Sequence, residues 1–205
     1  MAAETARGRP GASVVAIVLA AGLATRMGSQ KAHLDLQGRS LVQWVVDAAL
    51  GSRVTRTVVV TGHEAGLVAS DLADRPVVLV GNPEFAAGMS TSLRAGVRAA
   101  GTCDAAIFLL SDQPFVTSAL IDRLVEAFDE TGATVVRPLA AGRPANPVLI
   151  GAPLFPEILE QGGDVGGREV VARHAQDVHL VPVEDSRLCM DIDSPEDYEA
   201  AKESA

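Results

Sequence analysis

The stretch from Val14 to Lys31, VVAIVLAAGLATRMGSQK, decides how this chain is read. Its first six residues, Val14 to Leu19, are apolar and four are β-branched, the composition of a strand buried on both faces of a parallel sheet. A buried helix shares that periodicity over so short a run, but the brevity of the run and the glycines Gly22 and Gly28 after it favour the strand. Ala20, Ala21 and Gly22 are small enough for a ligand to approach the main chain and for peptide N–H groups to face an anion. Arg26 adds a planar cationic fork and Lys31 a point charge. Together they suit a polyphosphate, although a plain β-loop with two solvated basic residues has the same composition. The loop is neither GxxxxGK[ST] nor GxGxxG, which argues against a P-loop or a dinucleotide fingerprint.

The rest of the chain bounds the reading. Its 205 residues are expected to form one domain, residues 14–205, preceded by a flexible tail over 1–13 that lacks the apolar segment of a signal peptide. A hydrophobic share of 48% with only 3% aromatics points to a core of Val, Leu, Ala and Ile. The net charge of −9 argues against nucleic acid as a partner but leaves room for a local basic site. No run reaches bilayer-spanning length, so no membrane partner is expected. Cys103 and Cys189 are only two and lie in different segments, which indicates neither a disulfide framework nor a CxxC metal site and makes a reduced, cytoplasmic setting the default. The four histidines have no metal-ligand spacing.

Beyond Lys31, apolar residues alternate between helical and strand spacing. Helices are expected at 40–50 with Ser40 as cap, at 64–73, at about 90–100 with Ser90 or Thr91 as cap, and at 117–130 opened by Thr117. Strands are expected at 57–61, 76–80, 104–110 and 134–137, the last within a smaller β element spanning 134–150. This alternation implies βαβ units and an α/β fold with a predominantly parallel, doubly wound sheet. Ligands of such sheets sit at the carboxyl ends of the strands, where the 20–31 turn falls. Asp112, just past the 104–110 strand and followed by Gln113-Pro114, is placed to hold a divalent cation such as Mg2+, or to serve as a turn residue. In the extended segment Met190-Asp191-Ile192-Asp193, the two aspartates share a side. Ser194-Pro195 then starts the last helix, Ser at the cap and Pro in the first turn.

LAAGLATRMGSQK resembles the LAAGxxxRMGxxK signature of nucleotidyltransferases that attach a nucleoside monophosphate to a phosphorylated acceptor. NPEFAAGMSTSLRAG is similar to the NPxxxxGMSxSLxxG segment of the molybdenum cofactor cytidylyltransferases, and the chain from about Val14 to Ala201 resembles that family. The resemblance implies a Rossmann-like three-layer sandwich. It makes Leu19, Ala20, Ala21, Gly22, Arg26, Lys31, Asn82, Gly88 and Ser90 nucleotide-site residues. Arg26, Lys31 and Asp112 become catalytic, and magnesium falls to Asp112 and Asp193, with Asp191 the weaker candidate. Asn146 and Pro147, in a segment similar to GxPxHPVL, face the acceptor, with Asn146 where a histidine is usual. Arg168, in a segment similar to GDxGAR with Gly167 in place of alanine, binds acceptor phosphate; Asp164 in that turn could instead cap a helix starting near Val165.

The activity implied is transfer of CMP from CTP to the terminal phosphate of a molybdopterin cofactor, with release of pyrophosphate. A client molybdoenzyme is a further implied partner. Leu19-Ala20-Ala21-Gly22 favours CTP over GTP, because guanylyltransferase relatives tend to carry LAGG. The alternatives are a guanylyltransferase, the same fold with another phosphorylated acceptor, or a non-catalytic cofactor-binding chaperone.

Overall fold

The first strand, β1 (Val14–Ala20), is buried along its whole length. Val14, Ala16, Val18 and Ala20 join one apolar cluster, while Val15, Ile17 and Leu19 join another. Successive side chains of a strand point to opposite faces, so an unbroken apolar run is what a strand covered on both sides requires. The structure is a computed structural model that describes residues 11–22, 31–63, 65–162 and 167–204. Arg26, Gly28, Asp164 and the first ten residues of the expected tail lie outside the described residues.

The chain continues through a hairpin of β2 (Asp35–Leu36) and β3 (Arg39–Ser40) into α1 (Leu41–Leu50), then β4 (Arg56–Thr61), α2 (Ala65–Asp71), β5 (Val78–Gly81), α3 (Met89–Ala100) and β6 (Ala105–Leu110). There follow α4 (Ser118–Thr131), β7 (Val135–Ala140), β8 (Arg143–Pro144), β9 (Val148–Gly151), α5 (Phe155–Glu160), α6 (Arg168–Arg173), β10 (Val178–Val183) and α7 (Pro195–Ser204). The main sheet has the order β10-β7-β9-β6-β1-β4-β5, with β8 beside β7. β1 pairs in parallel with β4 and β6, β4 with β5, and β7 with β10. Helices α1, α2 and α4 contribute Val45, Val68 and Leu124 to one cluster. Leu93, Ile158 and Val170 of α3, α5 and α6 contribute to the other, giving the three-layer, doubly wound arrangement.

Helix starts follow side-chain chemistry. Thr117 caps α4 by accepting a hydrogen bond from the Leu120 amide, and Gln43 accepts one from the Ser40 amide at the start of α1. Ser194 and Asp197 bond each other's main chain at the start of α7. At α3 the expectation fails. The cap is Gly88 at φ 108°, and Ser90 and Thr91 already lie inside the first turn, buried. The Thr91 hydroxyl donates toward the Gly88 and Glu84 carbonyls, so it closes the preceding loop instead of capping a free N–H. Helix α6 is described from Arg168, and the expected start near Val165 lies outside the described residues.

The expected smaller β element at 134–150 is a correction. β9 inserts antiparallel between β6 and β7, so the segment completes the main sheet. The reversal is the two-residue turn Ala141-Gly142, both at positive φ, joining β7 to β8. Pairing β9 on both sides satisfies main-chain groups that would otherwise line two open edges.

Candidate active site

Apart from β8 and β9, the strands of the main sheet run in one direction, so the carboxyl ends of β1, β4, β5, β6 and β7 share a rim. The strand order reverses beside β1, which is flanked by β4 on one side and β6 on the other. This is the switch point at which open α/β sheets bind ligands. Leu19, Ala20 and Ala21 are buried at that end of β1, and Gly22 is exposed beyond it. The Leu19 carbonyl accepts from the Ser111 amide at 3.2 Å, so the end of β1 and the turn bearing Asp112 are locked side by side. Lys31 opens a single 3-10 turn, Lys31–His33.

The next wall follows β5. Asn82 is 4% exposed, and its amide nitrogen donates to Thr91 Oγ1 at 2.8 Å and Ser92 Oγ at 3.0 Å. Its side-chain oxygen accepts from the Glu84 amide. Asn82 therefore staples the 83–88 loop onto the start of α3, with Gly88 at the junction and Ser90 fully buried beneath. Gly62, which sequence reading passed over, lets this wall approach β1. A Cβ there would meet the Phe85 Cβ at 2.7 Å and the Ala21 Cβ and carbonyl oxygen at 2.9 Å. Its signal was only a glycine directly after a strand.

On the other side of β1, two acidic turns meet. The Ile192 amide donates to the Asp112 carbonyl at 2.9 Å, and Gln113 Nε2 donates to the Cys189 carbonyl at 3.2 Å. Ile192 is fully buried among Leu36, Leu41 and Ala201. Asp193 is exposed, while Asp112 and Asp191 are half-buried. Burial first, and the Asp191 charge second, push the Cys189 thiol up to about 11, so it stays protonated and unreactive at neutral pH. Among the described residues no group of three His, Cys, Asp or Glu side chains could enclose a metal ion. A pair of carboxylates at a rim open to substrate suits magnesium, which takes one or two carboxylates and completes its shell from water and phosphates.

The acceptor-side candidates sit further along the same rim. Because β9 runs opposite to its neighbours, its amino end carries Asn146 and Pro147 to the carboxyl ends of β6 and β7. The peptide between them is cis. Arg168 is exposed at the first position of α6. A Cβ at Gly167 would make an ordinary 3.7 Å contact with Leu93 Cδ1, so among the described residues the family's alanine would fit there without a clash.

Of the histidines, His33 bonds Asp71, His174 bonds Glu157 at 2.6 Å and His63 packs against the Phe85 ring. No described helix is long and apolar enough to cross a membrane.

Switch-point site, glycine-spaced walls and a carboxylate rim coincide with a match of residues 16–178 to the model of the MobA-like NTP transferase domain. The chain belongs to this family. It is a nucleotidyltransferase of MobA-like type. The molybdenum cofactor cytidylyltransferase of Escherichia coli (strain K12) is 28% identical over 188 residues, which cover 91% of this chain and 94% of the relative. Nicotine blue oxidoreductase of Paenarthrobacter nicotinovorans is also 28% identical, over 89% of this chain and 93% of its own length. The solved nucleotidyl transferase of Methanothermobacter thermautotroptrophicus superposes with a TM-score of 0.82 at 28% identity, covering 95% of this chain and 98% of the other.

Proposed function

We propose that this MobA-like protein is a magnesium-dependent cytidylyltransferase that transfers CMP from CTP to the terminal phosphate of a molybdopterin-type cofactor. The observation that carries the proposal is the hydrogen bond from Ile192 to Asp112, which brings both acidic turns to the switch point beside β1. In the reaction an oxygen of the acceptor phosphate attacks the α-phosphorus of CTP, the bond to the β-phosphate oxygen breaks, and pyrophosphate leaves. The nucleophile is already ionised, so no Ser-His-Asp machinery is needed, and positioning with charge neutralisation supplies the catalysis. Asp112 and Asp193 would hold magnesium, whose contribution when bound is to neutralise charge on the reacting phosphates.

Arg26 and Lys31 would grip the triphosphate and stabilise the departing pyrophosphate. The Ala20-Gly22 turn, Asn82, Gly88 and Ser90 would frame the nucleotide, with Asn82 acting through the loop it staples. Asn146, Pro147 and Arg168 would face the acceptor. Preference for CTP over GTP fits the buried Ala21, whose Cβ occupies space next to Gly62 that a glycine would open to a larger base. The alignment with the cytidylyltransferase of Escherichia coli runs over most of both proteins, which supports the same reaction class.

The deciding experiment is pyrophosphate release with magnesium and each of four NTPs, with and without molybdenum cofactor. Turnover that needs both CTP and the cofactor is expected. Turnover with GTP alone, or CTP binding with no turnover on any acceptor, would overturn the reading. Lys31→Ala is expected to raise the nucleotide KM or lower kcat.

A further inference from the structure

Gln113 follows Asp112 directly and is 2% exposed, a rare degree of burial for a side-chain amide. Its main chain belongs to the turn after β6: its N–H donates to the Leu110 carbonyl at 3.2 Å, and its carbonyl accepts from the Val116 amide at 3.3 Å. Its side chain leaves that turn, and Nε2 donates at 3.2 Å to the carbonyl of Cys189, 76 residues further along the chain. A carbonyl only accepts, so the amide must present its nitrogen there and its orientation is fixed. The other atom, Oε1, is buried with no hydrogen-bond partner. A buried oxygen without a donor costs stability, and an apolar side chain of the same length would avoid that cost. Burial therefore does not explain a glutamine at this position, which leaves the tie to Cys189 as its contribution.

What the tie does follows from where it falls. The stretch from Cys189 to Ile192 is held at one end by Ile192, whose amide donates to the Asp112 carbonyl and whose side chain is buried. Gln113 holds the other end, at Cys189. Anchored at two points on consecutive residues of one turn, the stretch lies along that turn instead of pivoting about a single bond. Met190 is extended, at ψ 131°, and side chains of an extended segment alternate, so Asp191 and Asp193 leave on the side opposite Ile192. Asp193 is exposed and has no packing to fix it, so the course of the main chain before it decides where its carboxylate stands relative to Asp112. Two carboxylates at an open rim are the donor set that magnesium takes, and their separation decides whether one ion reaches both.

We infer that Gln113 is a positioning residue for the divalent cation: by tying Cys189 to the turn after β6, it sets the separation of the Asp112 and Asp193 carboxylates. The inference rests on the reading of these two aspartates as metal ligands and is independent of which acceptor the enzyme uses.

The test titrates Mn2+ alone into the full chain and reads the free ion by electron paramagnetic resonance, at a temperature where circular dichroism shows every variant folded. Gln113→Met keeps the side-chain length and removes the donor together with the orphaned oxygen. It is expected to weaken Mn2+ binding about tenfold, with an unfolding midpoint near wild type. In an Asp193→Asn background the same substitution is expected to weaken binding no further, because the ligand that Gln113 positions is already gone. Unchanged Mn2+ affinity in Gln113→Met, or an equal loss with and without the Asp193 carboxylate, overturns the inference.

Asp112→Asn separates this inference from the reading beneath it. If that variant binds Mn2+ as tightly as wild type, the metal assignment falls and the positioning role falls with it. If it loses the ion while Gln113→Met keeps it, only the positioning role falls. In turnover, Gln113→Met is expected to raise the magnesium concentration for half-maximal rate about tenfold, with the CTP KM at saturating magnesium unchanged. If no nucleotide and acceptor pair turns over, the proposed reaction falls, and the Mn2+ titration still decides the role of Gln113.

Discussion

The amide of Ile192 donates to the carbonyl oxygen of Asp112 at 2.9 Å, joining the turn after β6 to the segment before α7. The Ile192 side chain is buried in a small apolar cluster with Leu36, Leu41 and Ala201. In an extended segment its neighbours Asp191 and Asp193 then project away from that cluster. Asp112→Asn and Asp193→Asn are therefore expected to lower kcat by about a hundredfold or more while unfolding midpoints stay near wild type. Asp193→Asn should also raise the magnesium concentration needed for half-maximal rate. Full activity in Asp112→Asn would remove the metal assignment.

Asn82 offers a prediction about stability. Its side chain makes three hydrogen bonds inside a buried loop, to Thr91, Ser92 and the Glu84 amide. Asn82→Ala leaves those partners unsatisfied and is expected to cost about 2–4 kcal/mol in denaturant unfolding. The nucleotide KM should rise with it, because the 83–88 loop loses its staple. A variant as stable as wild type would contradict this role.

Gly62 sets the distance between two walls of the site. Gly62→Ala places a methyl against the Phe85 Cβ at 2.7 Å and the Ala21 main chain at 2.9 Å. Neither neighbour is the far end of a flexible side chain, so the 20–22 turn and the 83–88 loop must separate. Expected outcomes are a loss of about 1–3 kcal/mol and a higher KM for nucleotide, with less effect on the acceptor KM.

The link between α5 and α6 is expected to weaken in acid. Hydrogen bonds from His174 and then Arg173 lower the pKa of Glu157 below its ordinary 4.5. A carboxylate with a depressed folded pKa adds stability above its unfolded value, and that stability is lost as pH falls through the folded value. Thermal unfolding should show wild type ahead of Glu157→Gln at pH 7, with the gap closing as pH drops below 4.5. A gap that is constant down to pH 3 would exclude this linkage.

Much of the architecture was legible because it depends on neighbours in sequence. β1 announced itself by an apolar run with both faces buried, and Ser40, Thr117 and Ser194 marked helix starts through main-chain groups a few residues away. The start of α3 was misread because Ser90 and Thr91 have the composition of caps, whereas burial beneath the 83–88 loop assigns them other partners. The turn Ala141-Gly142 was hidden because alanine at positive φ carries no turn signature. Asp112 was legible as a carboxylate after a strand; Gly62 was not, since its meaning lies in what approaches it from distant segments.

By itself the sequence determined the alternation of strand and helix, the glycine turn after β1 and the acidic residues at two chain positions, all of which follow from local periodicity and backbone preference. Only the tertiary structure decided that β9 enters the main sheet antiparallel, that Ile192 meets Asp112, and that Gly62 lets the 83–88 loop approach Ala21. Strand order and the meeting of distant turns arise from burying both faces of one sheet, a condition on the whole chain that no short window of residues can express.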